Sequence, residues 1–190
     1  MSSQALAGHM VIARLNARLR PLDRGQHFED PLDSALKAAG KGEVSGAGTM
    51  LGKSGEVDYC DIELMLPAFT DQVVRFLVDT LEELGAPKGS KLIVADSDVE
   101  HSLGKTEGIA VYLNGTDLPD EVYTTCDLDF VHSEFNRLLG PEGRVLSSWQ
   151  GPKETALYMY GPSFAAMKSR LDDFLAWYPL CQACRTAQTA

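Results

Sequence analysis

The sequence is short of positive charge. Its 190 residues carry 17 Lys and Arg against 27 Asp and Glu, a formal net charge of -10. A surface of that sign repels phosphate backbones and anionic lipid headgroups, so neither nucleic acid nor a membrane surface is expected as a partner. No apolar run is long enough for a membrane-spanning helix. Met1 to His9 lacks the basic segment and apolar core of a secretory signal. Gly8-His9-Met10 reads as a cloning scar, with residues 1–9 a tag or disordered and Met10 the natural start. The four cysteines then fit free thiols in a reducing cytoplasm. No nucleophile elbow and no zinc-protease helix motif is present. Gly48 to Ser54 has glycines one residue too close for a phosphate-binding loop, and it leads into a strand rather than a helix N-terminus.

What is present is strongly patterned. From Glu56 to Leu66 the side chains alternate: Cys60, Ile62, Leu64 and Leu66 point one way, and Tyr59, Asp61, Glu63 and Met65 the other. That is a strand with one buried face. Val11 to Leu19 alternates in the same way. Asp30-Pro31 predicts a helix start, with Asp30 as N-cap after a polar loop from Arg20 to Asp30. Glu43 to Met50 predicts a strand that Gly46 and Gly48 would bulge or open to a close approach. Phe69 to Leu84 has the apolar stripe of a helix, and Lys91 to Ala95 is a short strand. Asp96 to Glu107 reads as a polar connector.

The order β-α-β-β-α-β then repeats: strand Ile109 to Asn114, a helix capped by Asp127 and stopped at Gly140, strands Arg144 to Trp149 and Thr155 to Tyr160, a helix from Phe164 to Tyr178, and a short last strand within Cys184 to Ala190. Leu15-Asn16 matches Leu113-Asn114, Gly40 matches Gly140, and Pro67-Ala68-Phe69 matches Pro162-Ser163-Phe164, an offset of roughly 97 that suits a whole-domain duplication. From Met10 onward the chain resembles a tandem ferredoxin-like protein, an α+β fold with antiparallel sheets and the helices on one face of each. The expected halves are 10–97 and 108–190, joined by a linker over 98–107.

Several constellations are candidates for chemistry. On the open face of the first sheet, Arg14, Asn16 and Arg18 are expected beside Tyr59, Asp61 and Glu63. That reads either as a salt-bridged solvated face or as a polar binding surface. The second half offers Tyr112, Asn114, Tyr158 and Trp149 instead, and Asn16 and Asn114 are candidates to bridge backbone groups between the sheets. The first strand-to-helix connections, with Arg24 and His27 in one half and 115–126 in the other, are candidate recognition loops. Asp96, Asp98, Glu100 and Glu107 match acidic positions of a calcium loop, but His101 stands where that loop needs Gly, so a solvated linker is the simpler reading. Cys181-Gln182-Ala183-Cys184 has redox or half-zinc spacing yet follows a helix, so inert thiols are expected there.

The functional expectation is a non-catalytic, cytoplasmic binding or regulatory protein, monomer or homodimer, without a cofactor. It would recognise a basic protein partner or a small polar ligand through Arg14, Asn16, Arg18, Arg24, His27, Asp61, Glu63, Asn114 and Tyr158. The alternative is a small enzyme with its site in the cleft between the halves.

Overall fold

The computed structural model describes residues 8–95, 97 and 99–190. Its first half contains β1 (His9–Leu15), α1 (Pro21–Arg24), a π-helical turn (Gly25–Glu29), α2 (Asp30–Ala38), β2 (Glu43–Leu51), β3 (Val57–Leu66), α3 (Asp71–Glu83), β4 (Ser90–Val94) and β5 (Glu100–Leu103). The sheet order is β2-β3-β1-β4-β5 and every pairing is antiparallel. The first and third strands of the unit therefore lie at the sheet centre, as a split βαβ arrangement requires. Val11, Ala13, Leu15, Ile62 and Leu64 are fully buried beneath Leu32 and Leu36 of α2 and Leu77 and Leu81 of α3. Ile12, Arg14, Tyr59, Asp61 and Glu63 alternate with them on the half-exposed face.

The second half repeats the plan with β6 (Glu107–Asn114), α4 (Asp120–Thr125), α5 (Leu128–Leu139), β7 (Arg144–Gln150), β8 (Glu154–Gly161), α6 (Phe164–Trp177) and β9 (Arg185–Gln188). Its order β7-β8-β6-β9 matches β2-β3-β1-β4 strand for strand. The two halves are thus duplicated ferredoxin-like units in an α+β fold. Asp127 caps α5 as expected, its carboxylate accepting from the Asp129 N–H at 2.8 Å. Thr70 and Ser163 cap α3 and α6 in the same manner, each accepting from the N–H three residues on at 3.3 Å.

Besides the short helix α4 inside the predicted loop 115–126, two expected segments take other forms. The predicted loop from Arg20 to Asp30 is helical: Pro21 opens it at the first helical position and Asp23 favours its electropositive first turn. Asp30 is therefore an interior residue and not an N-cap. Pro31 lacks an N–H and its ring crowds the preceding turn. The π-turn immediately before it, where the Asp30 N–H reaches back to the Gly25 carbonyl, absorbs that defect. The second difference is β5, which lies inside the predicted connector. Lys91 holds Glu100 across the strand pair at 2.8 Å and Leu103 is buried, so this short strand adds an edge to the first sheet. Asp96 and Asp98 of the calcium-loop spacing lie outside the described residues. Glu100 is engaged by Lys91, and Glu107 by Lys88 and the Phe164 N–H.

The halves meet asymmetrically. On β6 and β8, Ile109, Val111, Leu157 and Met159 pack beneath α5 and α6, while Ala110, Tyr112, Ala156, Tyr158 and Tyr160 join the core of the first half. The segment following β1 runs across this second face. Arg18 N–H donates to the Tyr160 hydroxyl at 2.7 Å and Arg20 N–H to Ser147 Oγ at 3.1 Å. The second sheet is covered on both faces, and the first keeps one face open.

Candidate binding site between the halves

Glu56, the residue just ahead of β3, is buried where the halves join. Its Oε2 accepts from three donors: the Arg18 guanidinium, Tyr112 Oη at 2.9 Å and Tyr158 Oη at 3.0 Å. Arg18 Nη1 also lies 2.8 Å from Tyr112 Oη. Burial opposes the Arg18 charge, but Tyr112, Tyr158 and Glu56 outweigh it and hold its proton more tightly than usual. Burial, reinforced by the Glu56 carboxylate, pushes both tyrosine hydroxyls above their ordinary range. The phenols therefore stay protonated and act as donors. The Arg185 guanidinium stacks 3.5 Å from the centre of the Tyr112 ring and is itself paired with Glu154.

Next to this cluster opens a cavity of about 270 Å³. Pro21, Leu51, Val57 and Trp149 give it an apolar wall, and Arg18, Thr49, Ser148 and Tyr158 supply polar groups. The elements that place them are the segment after β1, the β2–β3 hairpin and the β7–β8 hairpin, so both halves contribute. The cations at the wall are already matched: Arg18 by Glu56, and Arg20 by Asp23 at 2.8 Å. The space holds no His or Cys, and the nearby carboxylate is saturated on one oxygen. A second cavity between the halves, of about 260 Å³, is lined for half its residues by Gly or Pro and offers less to hold a ligand.

The residues singled out from the sequence fall in separate places. Arg14 grips Asp61 with two bonds of 2.8 Å on the open face of the first sheet, with its guanidinium 4.0 Å from the centre of the Tyr59 ring. Glu63 lies on the same face, opposite Ile12 and over Gly46. Arg18 does not join them, because β1 ends at Leu15 and the chain turns into the interface. Neither asparagine bridges the sheets. Asn16 donates to the Lys88 carbonyl within its own half, and the Asn114 carboxamide closes a local turn on Thr116 and Asp117. Arg24 is buried and fastens the helix to β2 through the Gly48 carbonyl at 2.8 Å, with Glu29 on its other side at 2.5 Å. His27 is half-buried, and burial together with Arg144 lowers its pKa against the opposing pull of Asp23. Of the residues singled out, only Arg18, Trp149 and Tyr158 reach the cavity. Burial, with Cys184 and Cys126 nearby, raises the Cys181 thiol to about 12, and burial raises Cys184 as well, so both are held as thiols. Glu56, the acceptor at the centre, was not singled out by sequence reasoning; its 38-residue separation from Arg18 leaves no local signal.

No family model and no curated protein matches the chain. Among solved structures it is similar to the first two RRM domains of the yeast poly(U) binding protein (15% identity, 95% of this chain and 99% of that chain, TM-score 0.27). It is also similar to the regulatory subunit of aspartate kinase from Thermus flavus (13% identity, 88% and 93%, TM-score 0.29) and to an anthrone oxidase-like protein (11% identity, 99% and 92%, TM-score 0.26). At these scores the likenesses carry no argument about function, which must come from the site itself.

Proposed function

We propose that the protein is a non-catalytic binding protein that takes a small, neutral, polar ligand with one flat apolar side in the cavity between its halves. The observation that carries this reading is the composition of the wall. Trp149, Leu51 and Pro21 supply apolar surface, Thr49, Ser148 and Tyr158 supply hydrogen-bonding groups, and the arginine charge is matched from within. Pockets that bind small molecules have this make-up, apolar lining with a few placed polar groups. A charged ligand would have to displace an existing partner of Arg18 or Arg20. The volume of about 270 Å³ equals about nine liquid-water volumes, which suits a single-ring compound.

A thermal-shift panel of neutral single-ring compounds, with the pyrimidine nucleobases, nicotinamide and phenol among them, tests this. A ligand at about 100 times its Kd should stabilise the protein by about 2.7 kcal/mol, a rise in Tm of about 5–10 °C for a chain of this size. Leu51 is 59% exposed at the cavity wall, so Leu51→Arg should block entry and remove the shift while leaving the fold intact. A panel without a shift, or a shift that survives Leu51→Arg, refutes the assignment.

A further inference from the structure

The aromatic side chains of the second half form a ladder that ends in solvent. Phe174 of α6 stacks on Tyr178 with ring centres 5.1 Å apart; Phe130 of α5 lies 5.3 Å from Tyr178, and Trp177 meets both Phe174 and Tyr178 edge-on at 5.6 Å. Phe174 and Tyr178 are buried, but Leu128 is 39%, Phe130 41% and Trp177 63% exposed. The Asp127 N–H donates to the Tyr178 hydroxyl at 3.3 Å, which brings the start of α5 against the end of α6. Phe130 and Trp177, from two helix ends, thus share one patch, and the exposed Leu128 lies two residues before Phe130 at the start of α5. A lone exposed apolar residue needs no explanation, whereas a joined group of this kind marks an interaction surface.

Two further observations specify the occupant. Beside Leu128 opens a cavity of about 340 Å³, lined also by Leu113, Tyr123, Cys126 and Leu180, with room for an inserted side chain. The charge around the patch has one sign: from Asp117 to Glu134 the chain carries six carboxylates and no Lys or Arg, and Asp173 stands one helical turn before Trp177. Arg137 and Lys168, on the same two helices, are each already held by a carboxylate within one turn, and Arg170 of α6 lies 3.9 Å from Glu142.

We propose that this patch docks a basic amphipathic segment of a protein partner. Leu128, Phe130 and Trp177 take the apolar face of the segment, the adjoining cavity receives one of its anchor side chains, and the surrounding carboxylates meet its Lys and Arg side chains. An apolar centre with a charged rim is the layout of specific interfaces, with the rim setting sign preference and association rate.

The test uses the full chain carrying Trp149→Phe, which leaves Trp177 as its fluorophore. The probe is a synthetic helical peptide of Leu-Lys-Lys-Leu repeats, with a Leu-Glu-Glu-Leu peptide as its counterpart. The basic peptide should give a saturable blue shift of Trp177 emission that weakens as salt rises from about 0.05 to about 0.5 M. The pair Asp129→Lys and Asp173→Lys should weaken binding by about tenfold or more, and Phe130→Ser should abolish it, with circular dichroism confirming that each variant is folded. Asp71→Lys with Asp79→Lys makes the same charge change on α3 and should leave binding intact. The proposal is overturned if no saturable shift appears up to about 1 mM peptide, if the acidic peptide binds equally, or if the α3 pair weakens binding as much as the α5–α6 pair.

Discussion

At the scale of single residues, two carboxylates on neighbouring stretches of chain have opposite standing. Asp61 belongs to a strand whose alternation is easy to read, and its partner Arg14 faces it across the β1–β3 register. Their side chains keep 22% and 30% of their surface in solvent, so this pair resembles a surface ion pair and contributes about 0–1 kcal/mol. Glu56 lies one residue before the strand, and its three donors come from Arg18, Tyr112 and Tyr158, all remote in sequence. Removing that acceptor leaves a partly buried guanidinium and two phenols without it, and the cost of unpaired buried groups exceeds the net value of the bonds themselves. Glu56→Ala should therefore destabilise the fold by about 2–4 kcal/mol in urea unfolding, against about 1 kcal/mol or less for Asp61→Ala. Equal losses for the two variants would show that the buried cluster has no special weight. The sequence displays Asp61 and hides Glu56 because period-two patterning reports which way a side chain points, not which distant side chains converge on it.

At the scale of elements, the repeated strand and helix order is legible because periods of two and 3.6 survive in each long segment. What escapes is short or mixed. In β5 only Leu103 is buried, so four residues carry no alternation to detect. In the first helical turn Leu22 is almost wholly exposed, so Pro21 to Arg24 shows no apolar stripe. Glycines are a subtler case. Gly46 does sit at a register shift in β2, and a Cβ there would come within 2.7 Å of the flexible Glu63 carboxylate. Gly48, which looks equivalent in the sequence, has open space around it. Gly42, just before β2, has φ +134°, and a Cβ would lie 2.3 Å from the Met65 carbonyl oxygen. Gly48→Ala should raise stability by about 0.5 kcal/mol, because it restricts the unfolded chain at no steric cost. Gly42→Ala should lower it by about 2 kcal/mol or more, since both the backbone conformation and the contact are unfavourable. Denaturant midpoints of the two variants on opposite sides of the parent would confirm the distinction; a shift in the same direction would contradict it.

At the scale of the whole molecule, duplication explains the architecture but not the way the copies are used. Tyr158 and Tyr160 occupy the strand positions that Glu63 and Met65 hold in the first half, and Ala156 the position of Asp61; from the sequence, this row could face solvent as the first half's does. A row of tyrosines suits water or an interface equally well, because each ring buries an apolar body behind a hydrogen-bonding tip. Here the row is covered: Tyr158 and Tyr160 lie in one core with Leu19, Val57 and Leu81 of the first half. A shared core makes the halves a single cooperative unit, since separating them would expose those rings and leave Glu56 and Arg18 without their tyrosine partners. The two tryptophans can report on this separately. Trp149 packs against the shared core, whereas Trp177 sits at the end of α6 against Phe174 and Tyr178 of the second half. With Trp177→Phe and Trp149→Phe isolating each probe in turn, urea unfolding followed at Trp149 and at Trp177 should show one transition with the same midpoint and slope, after allowance for the cost of each substitution. A Trp177 transition that comes clearly later than the Trp149 transition would mean that the second half stays folded after the halves part, and the shared core would then contribute little to the stability of either.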